Sequence, residues 1–125
     1  MTAEADEQDS PPGNSCALTR PYGPFTVVEV CGEIDMATAD LVVEHLDAAT
    51  AVAEPDVLVD LRSVEFLDCS GLRVLCRAER RARERGGRLR IVSDGPRVDR
   101  LLRASGLFGR FPPLRALPAR AGRPQ

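Results

Sequence analysis

Hydrophobic residues along this chain switch repeatedly between two spacings, and few folds accommodate that switching. Phe25 to Cys31 is a nearly continuous apolar run carried by Val27, Val28 and Val30, and Val57 to Leu61 and Leu89 to Val92 are two more. Runs of this length suit strands buried on at least one face. Between them the spacing becomes helical. Val42, Leu46, Ala49 and Ala53 share one face, with Asp40, Glu44 and Asp47 opposite. Gly71, Val74, Leu75, Ala78 and Ala82 form a second such face, with Arg73, Arg77, Arg80 and Glu84 outside. Val98, Leu101 and Leu102 form a shorter seam. Strands that alternate with helices predict an α/β sandwich with helices packed on a sheet.

Punctuation places the boundaries. Cys16 to Thr19 and Phe25 to Cys31 flank Pro-Tyr-Gly-Pro, which predicts a hairpin-like pair. Gly32-Glu33-Ile34-Asp35 is expected to break the second strand, and Asp35 to cap a helix from Met36 to about Ala53, ended by Pro55. A turn is expected after Leu61, before Phe66-Leu67 leads into a helix that Gly86-Gly87 ends. Pro96 suits a first helical position, Gly106 a left-handed cap, and Leu107 a return onto the seam. The predicted order is β-β-α-β-α-β-α, with a possible last strand from Phe111 to Leu117. Residues 1–15 are too polar to offset chain entropy and are expected to form a disordered acidic tail; 16–117 form the domain and 118–125 a flexible end.

Composition excludes several functions. Aromatics are 4% with no Trp, so the core must be aliphatic. No apolar run approaches the roughly 20 residues of a membrane span, and the acidic start lacks the positive region of a secretory signal, which together predict a cytoplasmic protein away from membranes. Through residue 68 the chain carries fifteen acidic residues against two arginines; beyond it, four against fifteen. That asymmetry reads as solvated faces of one folded unit. Base-stacking aromatics are not interleaved with the arginines, so nucleic acid is not an expected partner. No CxxC pair, GxGxxG or P-loop pattern occurs, so no metal, cofactor or catalytic residue is expected. The single His45 is expected at a helix rim. Cys69 and Cys76 lie seven apart on one helix, about 10 Å, too far for a disulfide without unwinding. Cys69 at a helix start is a candidate reactive thiol, which Asp68 beside it opposes.

The remaining feature is Asp68-Cys69-Ser70-Gly71-Leu72, which follows a strand and opens a helix. A serine there offers a hydroxyl beside unpaired backbone N–H groups. With Gly32-Glu33-Ile34-Asp35, the strand Val57 to Leu61, Phe66-Leu67, the Gly86-Gly87 turn and Ser105-Gly106-Leu107-Phe108, this order of elements over residues 16–111 resembles the STAS domain, specifically the stand-alone anti-sigma factor antagonists. The resemblance implies a small mixed sheet with helices on one face. It implies a monomeric, non-catalytic module that binds an anti-sigma factor, often a serine kinase with a histidine-kinase-like ATPase fold, and so frees a sigma factor. It puts the contact surface at Gly32, Glu33, Ile34, Asp35, Asp68, Cys69, Ser70, Gly71 and Leu72. In such antagonists the phosphoacceptor follows the Asp directly. Here Cys69 holds that position, which a serine kinase does not phosphorylate in the ordinary way, and Ser70 is left as the candidate phosphoacceptor. The alternatives are a STAS subunit of a stressosome-like or lipid-transport assembly, or a thiol redox protein using Cys69.

Overall fold

A computed structural model of the chain describes residues 10–120. Its strands are β1 (Ala17–Tyr22), β2 (Phe25–Ile34), β3 (Asp56–Leu67) and β4 (Arg88–Val92), and its helices α1 (Ala39–Ala49), α2 (Cys69–Glu84) and α3 (Pro96–Ala104). The sheet order is β1-β2-β3-β4, with β1 antiparallel to β2 and the other pairs parallel. This is the α/β arrangement that the alternating spacings predict, and the mixed sheet with helices on one face that the resemblance implies.

Two strands are longer than their apolar runs. β1 continues through Arg20-Pro21-Tyr22 and closes a tight hairpin, Tyr22 opposite Phe25; Pro21 is tolerated because β1 is an edge. β2 does not break at Gly32-Glu33-Ile34. Its inward positions Val28, Val30 and Ile34 keep the period of two, with Gly32 filling the missing step. β3 does not turn after Leu61 either. Its inward positions run Val57, Val59, Leu61, Val64 and Leu67, because the pairing with β2 takes up one extra residue of β3 after Glu29 and another after Gly32. Each bulge stretches the period from two to three and hides the strand from an alternation test.

The first helix starts later and ends earlier than expected. Asp35 is not its cap: the Asp35 carboxylate accepts from the Ala37 and Thr38 N–H groups at 2.9 and 3.2 Å, which sets a turn before the helix, and Thr38 stands at the N-cap. At the far end Thr50 donates its hydroxyl to the Leu46 carbonyl at 2.8 Å. The chain must then turn so that the Glu54 N–H reaches the Arg85 carbonyl, leaving Ala53 exposed and outside the helix. The other two helices behave as read. The Gly106 N–H bonds the Arg103 carbonyl and the Leu107 N–H the Leu102 carbonyl, with Gly106 at φ +78°, a Schellman end.

The main core lies between the helices and the sheet. Val28, Val30, Val57, Val59 and Ile91 meet Leu46, Leu72, Leu75, Ala82 and Leu102, all nearly or fully buried. On the opposite face a smaller cluster of Phe25, Val27 and Leu58 is covered by Tyr22, Leu114 and Leu117. The expected last strand is reduced to one parallel bridge, Val92 to Leu114. Pro112 and Pro113 lack the N–H groups a ladder needs, and Phe111 turns into the core instead.

Of the expected N-terminal tail, residues 1–9 lie outside the described residues. The part next to the sheet is held: Asn14 accepts from the Cys16 and Ala17 N–H groups at 2.8 Å each and donates to the Leu41 carbonyl at 3.0 Å. A further tie comes through His45, which is not at a rim but fully buried. Its Nε2 lies 3.1 Å from the Pro12 carbonyl and its Nδ1 2.6 Å from the Thr19 hydroxyl. A carbonyl only accepts, so Nε2 carries the hydrogen and Nδ1 accepts from Thr19. Burial without an orphaned ring nitrogen requires both partners. At the other end, Tyr22 donates to the Pro118 carbonyl at 2.8 Å; residues 121–125 lie outside the described residues.

Candidate functional site

The two sequence segments singled out above meet at the end of the sheet where the parallel strands finish. Ile34 pairs with Leu67 across β2 and β3, and the Asp68 N–H continues the pairing to the Ile34 carbonyl at 3.2 Å. Asp68 then leaves the strand with extended backbone and caps α2, its carboxylate accepting from the Ser70 N–H at 2.8 Å and the Gly71 N–H at 3.4 Å. A short side chain at this position satisfies two of the donors that a helix start leaves free.

Close packing explains the glycine that follows. A Cβ on Gly71 would stand 2.2 Å from Leu67 Cδ1 and 3.2 Å from Ile34 Cγ2, so glycine lets α2 press onto the strand ends without displacing the Leu67 side chain. Beside it, the Thr38 hydroxyl donates to the Glu33 carbonyl at 2.8 Å and accepts from the Asp35 N–H at 3.0 Å, which fixes residues 33–38 as a compact turn. Two acid-capped turns thus stand next to each other, one on β2 and one on β3.

Burial divides the candidate contact residues. Ile34, Gly71 and Leu72 are buried and hold the site from below. Glu33 and Cys69 are exposed; Gly32, Asp35, Asp68 and Ser70 are half-buried. Met36, 82% exposed, and Phe66, 51% exposed, are two large apolar side chains in the same region that sequence reasoning did not single out. The spacing puts Met36 at a helix start and Phe66 ahead of another, where either can face inward; the Asp35 turn and the second bulge of β3 leave them outside. Phe66 pairs with Glu33, so it belongs to the same surface.

Among the described residues no three His, Cys, Asp or Glu side chains come together as a metal site. All four cysteines are free, and Cys69 is exposed with no second cysteine in its turn. His45 is sequestered by its own two bonds. Among the described residues no helix is long and apolar enough to cross a membrane. What the geometry offers is a rigid, acidic shelf with apolar side chains standing on it.

Comparison with known proteins places the chain in a family. The STAS domain family model matches residues 17–119. An anti-sigma F factor antagonist of Paenibacillus polymyxa is 32% identical over 87 residues, covering 69% of this chain and 74% of that protein. The anti-sigma-F factor antagonist RsfA of Mycobacterium tuberculosis is 36% identical over 84 residues, 64% of each. The crystal structure of an anti-sigma factor antagonist from Mycobacterium paratuberculosis superposes with a TM-score of 0.75 at 32% identity, covering 86% of this chain and 92% of that one. The unphosphorylated antagonist SpoIIAA shares the fold, with a TM-score of 0.59 at 18% identity, covering 78% of this chain and 84% of that one. With a family match across nearly the whole described chain, on a mixed sheet of the matching fold, this chain belongs to the STAS domain family.

Proposed function

We propose that this protein is an anti-sigma factor antagonist: a non-catalytic, monomeric, cytoplasmic module that binds an anti-sigma factor and so releases a sigma factor. The observation that carries the proposal is the shelf of two acid-capped turns, with Met36 and Phe66 exposed beside Glu33 and Cys69. Exposed apolar side chains rimmed by polar ones mark protein contact surfaces. The similarity to curated antagonists supplies the partner class. In this reading the contact residues are Gly32, Glu33, Asp35, Met36, Phe66, Asp68, Cys69 and Ser70, while Ile34, Gly71 and Leu72 set their height.

Regulation follows from the cap. Ser70 is the phosphoacceptor, and the anti-sigma factor is the serine kinase that modifies it. The Ser70 and Gly71 N–H groups are already bonded to Asp68, so a phosphate on Ser70 would have to compete with that carboxylate for them. It would add about −1.5 to −2 charge beside an existing carboxylate on the contact surface. Binding should weaken while the fold persists.

The test is co-purification of the tagged full chain with its partner, followed by titration of the purified pair. Ser70→Ala should bind like wild type; Ser70→Asp should keep the native melting curve and lose affinity. Incubation with the partner and ATP should add about 80 Da to wild type and nothing to Ser70→Ala. Retention of the added mass in Ser70→Ala would remove the acceptor assignment, and co-purification of transporter subunits instead would favour the lipid-transport alternative.

A further inference from the structure

Next to Phe66 the surface falls into a groove of about 560 Å³ between the end of β3 and α3. Its strand wall is Val64, Phe66 and Leu67; its helix wall is Leu101 and Ala104. The groove exists because β4 ends at Val92, opposite Asp60, while β3 runs on to Leu67. The side of β3 away from β2 therefore has no strand neighbour there, and α3 packs alongside at a distance.

The helix wall has an order of its own. Arg97, Arg100, Leu101 and Ala104 fall at i, i+3, i+4 and i+7, one stripe of α3, while Val98 and Leu102 of the neighbouring stripe are buried. The stripe is cationic toward the helix start and apolar toward its end. Among the described residues neither Arg97 nor Arg100 pairs with a carboxylate. Glu65 also lines the groove, so its rim carries two guanidiniums against one carboxylate.

An added peptide strand would need the free main-chain acceptors of β3. The Glu65 carbonyl already accepts from Arg97 Nη1 at 2.6 Å, so that acceptor is taken. The groove instead has the size and composition of a small-ligand site: a few hundred cubic ångströms, mostly apolar walls and charge at one end. We infer that it binds a single-chain fatty acid, the alkyl chain lying along Phe66, Leu67 and Leu101 and the carboxylate meeting Arg100 and the remaining donors of Arg97. A guanidinium fork matches a carboxylate in two parallel bonds. The apolar chain supplies affinity by leaving water, and the head sets direction.

The experiment titrates dodecanoate, and separately dodecanol, into the isotope-labelled full chain below micelle formation, following amide chemical shifts and binding heat. Dodecanoate should saturate at one per chain, with shifts confined to Val64–Leu67 and Arg97–Ala104. The double variant Arg97→Gln with Arg100→Gln should weaken dodecanoate by about tenfold or more and leave dodecanol unchanged. Leu101→Gln should weaken both, while the milder Leu101→Met should keep both; the amide spectrum itself reports whether each variant is folded. Absence of saturation, shifts located elsewhere, or dodecanol binding as tightly as dodecanoate to wild type would each overturn the assignment.

Discussion

The first half of β3, residues 56–61, and its second half, residues 62–67, are one strand in two environments. In the first half every residue but Asp56 is buried, and the backbone is bonded on both sides, to β2 and to β4. In the second half no residue is fully buried, only β2 is a neighbour, and two bulges interrupt the pairing. The halves therefore divide labour. The apolar, doubly paired half carries stability; the bulged, singly paired half carries exposed Phe66, the Leu67 support under Gly71 and the wall of the groove. Regular pairing fixes side chains alternately in and out, and relaxing it is what lets a strand present an apolar residue to a partner.

The sharpest test of that division compares two truncations. Leu58→Ala, in the fully buried half, should cost about 2–5 kcal/mol by denaturant unfolding. Phe66→Ala should cost less than about 1 kcal/mol, because half of the ring is already in water, yet weaken partner binding in titration. Equal losses of stability would erase the distinction between the halves.

Two glycines probe the same contrast from outside. A Cβ on Gly87 would meet the backbone of Pro55, 2.0 Å from its carbonyl oxygen, just before the first half begins. Backbone cannot step aside, so Gly87→Ala should destabilise by about 1–3 kcal/mol. A Cβ on Gly71 meets the far end of the Leu67 side chain, which can rotate toward the groove. Gly71→Ala should therefore cost less than Gly87→Ala in melting experiments, and should alter dodecanoate binding as Leu67 moves. Gly106→Ala, with nothing near its Cβ, should cost about 1 kcal/mol for its left-handed backbone alone.

The smallest effect lies at the seam between the halves. Burial pushes the Asp60 carboxyl up, but two side-chain bonds from Arg62 at 2.8 and 2.9 Å, with the Arg62 N–H at 3.1 Å, outweigh it and hold the group below its ordinary value of 3.8. A depressed carboxyl stabilises the fold above its unfolded value, and the benefit is lost as pH falls through the folded one. The stability gap between wild type and Asp60→Asn should be complete at neutral pH and close as pH drops below about 4. A gap that widens on acidification would contradict the ion pair.

Most of the fold could be read in the residues, because it rests on spacings that burial enforces. Val57, Val59 and Leu61 announce a strand, and Leu75, Ala78 and Ala82 a helix, whatever surrounds them. The helix ends at Gly86 and Gly106 could be read because a left-handed cap has few substitutes for glycine. What could not be read depends on neighbours distant in sequence. The end of β3 has no legible period, since its bulges follow from pairing with β2. The length of α1 depends on Glu54 reaching Arg85. The burial of His45 depends on Pro12 and Thr19 arriving from either side. At the site, Asp68-Cys69-Ser70-Gly71-Leu72 was legible as a strand-to-helix junction, whereas the exposure of Met36 and Phe66 was not.

The bond between Tyr22 and the Pro118 carbonyl spans 96 residues of sequence. The hairpin that contains Tyr22 is built from neighbours and can form early, but the rest of the cover over Phe25, Val27 and Leu58 comes from Leu114 and Leu117. Contacts of such long separation form late, after the entropy of closing the intervening chain has been overcome. During synthesis that second apolar face must therefore stay bare until the final segment emerges, and a chain stalled before Leu114 would present a sticky sheet rather than an unfinished but harmless domain.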